Sequence, residues 1–89
     1  MGKSKSYNLV LSNAIGVYTA TANLDPGDNI IASDAFSKPV PRVPFLVIVL
    51  DAGNAPLEVS WFSTPNGSNF DITIYASESQ SNIKIIALC

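Results

Sequence analysis

The stretch LEVSWFSTPNGSNFDITIYA, Leu57–Ala76, decides the fold class. Apolar and polar residues alternate on both sides of Asn66-Gly67. Asn-Gly is the strongest short hairpin signal, because a two-residue I′ turn needs positive φ at both central positions. With this pair at the centre, Pro65 faces Ser68. Leu57, Val59 and Trp61 then stand opposite Ala76, Ile74 and Ile72 on one face. Glu58, Ser60 and Phe62 stand opposite Tyr75, Thr73 and Asp71 on the other. A one-residue slip would turn the apolar set toward solvent. Pro65 cannot donate a ladder bond, so the loop can widen to PNGS without changing this register.

Outward from the hairpin the same signals continue, and no segment keeps a 3.6-residue apolar period. The pattern predicts strands at 6–12, 15–24, 28–36, 44–51, 56–63, 69–77 and 82–88. The turn clusters SNAIG, LDPGDN, SKPVPRVP, DAGNAP, TPNGSN and SESQSN separate them. Short strands at this spacing predict an all-β antiparallel sandwich of six to seven strands. Residues 1–5 read as a flexible leader and 6–89 as one domain.

SKPVPRVPFLVIVLDAG, Ser37–Gly53, breaks the alternation. Its prolines hold residues 37–44 extended and protect a sheet edge from further pairing. The run Phe45–Leu50 that follows is apolar on both faces. Phe45, Val47 and Val49 can face a core, which leaves Leu46, Ile48 and Leu50 to be covered. Near the C-terminus Ile83, Ile85 and Ala87 share one face, and Lys84, Ile86 and Leu88 share the other. A sandwich layer buries one face of each strand, and burying a Leu or Ile side chain is worth about 1.5–3 kcal/mol. A second copy of the chain is the simplest cover, with Leu46, Ile48, Leu50, Ile86 and Leu88 in the contact. A closed barrel, or cover by the N-terminal segment, is the alternative.

Composition narrows the function. The 89 residues are 47% hydrophobic and only 13% charged, few charges for a surface that stays monomeric. The five basic residues are scattered, so no stripe exists for a phosphate backbone and nucleic acid is not an expected partner. With no histidine and one cysteine, Cys89, no serine–histidine or cysteine–histidine nucleophile can be assembled. The seven acids fall mostly in turns or on outward strand positions, so no catalytic pair is expected. Asp25, Asp28 and Asn29 in LDPGDN could offer oxygens to calcium. Pro-Gly between aspartates reads first as a type II turn, and no metal or cofactor is expected. Neither a signal peptide nor a membrane span is legible. The opening MGKSKS fits a myristoylation pattern at Gly2 and Ser6, which leaves a lipid-anchored module as a third, weaker reading. The sequon NGS at 66–68 is explained by the turn itself.

The segment ATANLDPGDNIIASDAFSKPVPRVPFLVIVLDAG, Ala20–Gly53, resembles the opening of H-type lectin domains and of the related sandwich modules that end phage tail fibres. The shared features are a Phe–x–x–Pro corner (Phe36, Pro39), a second proline (Pro44) and the hydrophobic strand Phe45–Leu50. Gly67 and Phe70 open an alternating strand, as in those modules, and Ile86-Ala87 echo their closing strand. Ile85 stands where the family usually has tryptophan. The histidine used near the sugar by animal members has no counterpart here. The resemblance covers about residues 19–89. It implies a six-stranded sandwich, usually a homotrimer, displayed on a virion tip or a cell exterior.

A glycan would need exposed aromatics to stack on sugar rings and planar polar groups to hold hydroxyls. Phe62, Asp71 and Tyr75 share the outer face of the expected hairpin, and Arg42 and Asp51 flank the apolar strand near loops. These five are the candidate ligand contacts, and for Phe62 and Tyr75 contact with another subunit is the leading alternative. The expected function is a non-enzymatic, lectin-like carbohydrate-binding module. The alternative is a structural virion decoration or assembly subunit that binds only protein.

Overall fold

The computed structural model describes residues 16–89. These residues form an all-β domain of two three-stranded antiparallel sheets that share one apolar core. Strands β1 (Val17–Leu24), β6 (Gln80–Leu88) and β3 (Leu46–Leu50) make the first sheet, with β6 central. Strands β2 (Gly27–Ala32), β5 (Asn69–Ala76) and β4 (Ser60–Asn66) make the second, with β5 central. The expected strand at residues 6–12 and the Gly2–Ser6 motif lie outside the described residues. No helix among the described residues is long and apolar enough to cross a membrane.

The period-2 pattern explains the core. Ile83, Ile85 and Ala87 of β6 alternate inward with Ile72, Ile74 and Ala76 of β5, and all six are buried. Val47 and Val49 of β3 join them from the first sheet, and Phe70 from the second. Trp61, Leu57 and Val59 pack against this cluster from its side. Phe36, Val40 and Pro44, from the proline-rich crossing between the sheets, are also buried. That crossing is tied to β1 by the Ser37 amide, which donates to the Thr19 carbonyl at 2.8 Å.

Three expectations are corrected. The hairpin register is displaced by two residues, so Asn66 pairs with Asn69, Trp61 with Ile74 and Phe62 with Thr73. Proline is the physical reason. A two-residue loop is closed by a hydrogen-bonded pair, and a loop centred on Asn66-Gly67 would ask Pro65 for an N–H it lacks. Centring the loop on Gly67-Ser68 moves Pro65 to the next, non-hydrogen-bonded position of an edge strand. Gly67 has φ +63° while Ser68 stays out of the left-handed region, the II′ pattern rather than I′. A two-residue displacement keeps every side chain on its expected face.

The strand expected at 56–63 is split between sheets. The Leu57 amide donates to the Val49 carbonyl at 2.8 Å, and Pro56 bridges Leu50, so this part lines the edge of β3. The chain then crosses and joins β5 only from Ser60. The strand expected at 28–36 stops at Ala32 and tightens into a 3-10 turn, Ser33–Ala35. There the buried Ser33 accepts the Val40 amide at its carbonyl, at 3.0 Å.

The turn residue supplies a test. No atom lies within 4 Å of a Cβ built on Gly67, so only its backbone conformation resists a side chain. Gly67→Ala is expected to destabilise the domain by about 1–2 kcal/mol. Denaturant unfolding would show this as a lower midpoint with an unchanged slope.

Candidate binding faces

Each sheet has one face in the core, so the surfaces open to a ligand or partner are the two outer faces. On the first sheet the register places residues in three rows across β1, β6 and β3. The rows are Val17–Leu88–Leu46, Thr19–Ile86–Ile48 and Thr21–Lys84–Leu50. Their neighbours along each strand point into the core, which sends these nine outward. Leu46 is 41% exposed and Ile48 37%, while Leu50, Ile86 and Leu88 are half-buried. The five residues expected in a subunit contact are therefore contiguous. Val17 extends the patch on β1, and Phe45, expected to face the core with Val47 and Val49, instead lies just ahead of β3 and is 62% exposed.

The second outer face is of another kind. Its rows are Ile30–Thr73–Phe62, Asp28–Tyr75–Ser60 and Ala32–Asp71–Thr64. Phe62 is 53% exposed and Tyr75 51%, on diagonal positions of adjacent strands, within reach of one another. Asp71 stands at the far end of the face, where its Oδ2 accepts the Asn66 side-chain amide at 3.2 Å. Phe62, Asp71 and Tyr75 thus share one surface, with the Asp28 carboxylate and the hydroxyls of Ser60 and Thr64 beside them.

Arg42 and Asp51 do not join them. Arg42 lies exposed in the crossing that precedes β3. Asp51 follows β3, and its Oδ1 accepts the amides of Gly53 and Ala55, both at 2.9 Å, which shapes the loop at residues 51–55. The Asn29 side chain is similarly engaged. Its Oδ1 accepts the Asp25 amide, and its Nδ2 donates to the carbonyls of Asp25, Gly27 and Ile74. Gly27, at φ +101°, turns the chain there. Among the described residues no three acidic or cysteine side chains group as a metal site.

Sequence reading missed Ile30, which is 69% exposed beside Thr73. In GDNIIA two isoleucines are adjacent, and nothing local says which one faces out. It also missed a hollow of about 400 Å3 where β1, β6 and the crossing meet, lined by Thr19, Thr21, Phe36, Ser37 and Lys84 among others. No spacing signal could have found it, since its residues come from three separate segments.

No protein-family model, curated protein or solved structure matches the chain significantly.

Proposed function

We propose that this protein is a non-enzymatic, self-associating β-sandwich that binds a surface glycan. In this it acts like the H-type-lectin-like and phage-fibre-tip modules it resembles. The assembly is a homotrimer displayed on a virion or cell exterior. One observation carries the reading, the chemical contrast between the two outer faces. Aliphatic side chains cover most of the first sheet, a surface suited to a second copy of the chain and poorly suited to water. The second sheet presents two half-exposed aromatic rings with hydroxyls and carboxylates around them, the mixture that stacks on a sugar and orders its hydroxyls.

In this assignment the Phe62 and Tyr75 rings supply stacking area, while Asp71 accepts from sugar hydroxyls and Ser60 donates to or accepts from them. Phe62→Ala and Tyr75→Ala are each expected to weaken glycan-array binding by roughly three- to tenfold, with the assembly mass unchanged. The second reading is a structural subunit that binds only protein, favoured by the aliphatic rows, which a solitary lectin would not need. Under it, the same two substitutions disrupt a protein contact and no glycan gives signal. Absence of all glycan signal with the assembly intact would overturn the carbohydrate reading.

A further inference from the structure

We infer that the hollow between β1, β6 and the proline-rich crossing is a second ligand site, one that takes a sugar bearing a carboxylate. It extends the carbohydrate reading to the β1 margin of the first sheet's outer face, at the ends of two of the aliphatic rows, without resting on the Phe62–Tyr75 face. Its volume of about 400 Å3 falls at the lower end of small-molecule sites. Its walls combine three hydroxyls, one ammonium and an apolar floor. Thr19 and Thr21 stand two apart on β1 and share an outer face, and Ser37 is drawn against β1 by its amide bond to Thr19. The hydroxyls of Thr19 and Ser37 lie 3.5 Å apart, close enough to hold neighbouring hydroxyls of one ring. Phe36, almost wholly in the core, closes the inner end of the hollow beside Ala20 and Ala35.

Lys84 decides the charge. It stands on the central strand between Thr21 and Leu50, one row from Ile86 on the same outer face. Its stem is half-buried among aliphatic neighbours while the ammonium stays at the surface, where it can pair with an anion. Its Nζ reaches the neutral Asn54 Oδ1 at 3.5 Å, a long contact that leaves its other hydrogens to donate. Among the described residues Lys84 is the one cationic side chain in the lining of the hollow. That suits a carboxylate, which carries one negative charge, better than a phosphate, which carries close to two and favours forked donors.

The test is a nitrogen–proton NMR titration of the full chain with galacturonate, galactose and acetate in parallel. Galacturonate at tens of millimolar is expected to shift the amides of Thr19, Thr21, Ser37 and Lys84 together. Lys84→Gln is expected to weaken that response by about tenfold or more, since a hydrogen bond to a charged group is lost. Lys84→Arg should retain part of it, and Thr21→Ala should weaken it less than Lys84→Gln does. Equal affinity for galactose would overturn the carboxylate assignment, and equal affinity for acetate the sugar. Silence at these amides, or an unaltered response in Lys84→Gln, would overturn the site even if Phe62 and Tyr75 respond.

Discussion

A chain carrying Ile48→Asp and Ile86→Asp is expected to scatter light as a 9.4 kDa monomer. At the same concentration the unaltered chain should hold a mass about three times larger, the closed homotrimer. The two isoleucines are paired neighbours at the centre of the aliphatic rows. In an assembly whose contact excludes water, each aspartate would have to shed its hydration, at a cost of several kcal/mol per ion. Summed over the copies, association should weaken by at least about a thousandfold. In the free chain both side chains point outward, where a carboxylate stays hydrated. The remaining cost is poorer strand preference, on a scale of about 1 kcal/mol. The circular dichroism spectrum should therefore be retained. An unaltered chain that stays monomeric across a dilution series would sink the assembly reading, as would a double variant that keeps the larger mass.

The second large effect is on stability and comes from the residue next door. Ile85→Ala is expected to cost about 2–5 kcal/mol, because Ile85 is fully buried on the central strand and its truncation leaves a cavity between the sheets. Domains of this size sit near the low end of the usual 5–15 kcal/mol range, so the loss is a large fraction of the total. It should lower the melting temperature by roughly 8–40 °C. Ile86→Ala, one position on but facing outward, is expected to cost less than about 1 kcal/mol in the free chain. Both are best measured at a dilution that keeps the chain monomeric, so that assembly does not contribute. Similar costs for the two substitutions would contradict the inward and outward assignment of β6.

The candidate face was legible for a reason that also explains what was not. Phe62, Asp71 and Tyr75 share a surface because side chains alternate with a period of two, and a register displaced by two residues leaves that parity untouched. Their partners changed, since Phe62 meets Thr73 rather than Asp71, but their company did not. Asp51 was legible as a loop residue. What its carboxylate holds, the amides of Gly53 and Ala55, depends on how residues 51–55 close, which composition does not reveal. Ile30 and the Lys84 hollow needed the fold itself.

Taken alone, the amino-acid order determined the all-β class, the approximate places of the turns, the alternation that buries Ile72, Ile74, Ile83 and Ile85, and the surplus of aliphatic side chains on Leu46, Ile48 and Leu50. These are local properties, set by residue type and by a two-residue period along one strand. The tertiary structure alone decided that β6 lies between β1 and β3, and that residues 56 and 57 line the edge of β3 before the chain crosses to β5. It also brought Thr19, Ser37 and Lys84 to one hollow. Those outcomes join segments tens of residues apart, where several pairings satisfy the same alternation. Loop closure, the missing N–H of proline and the filling of a shared core choose among them.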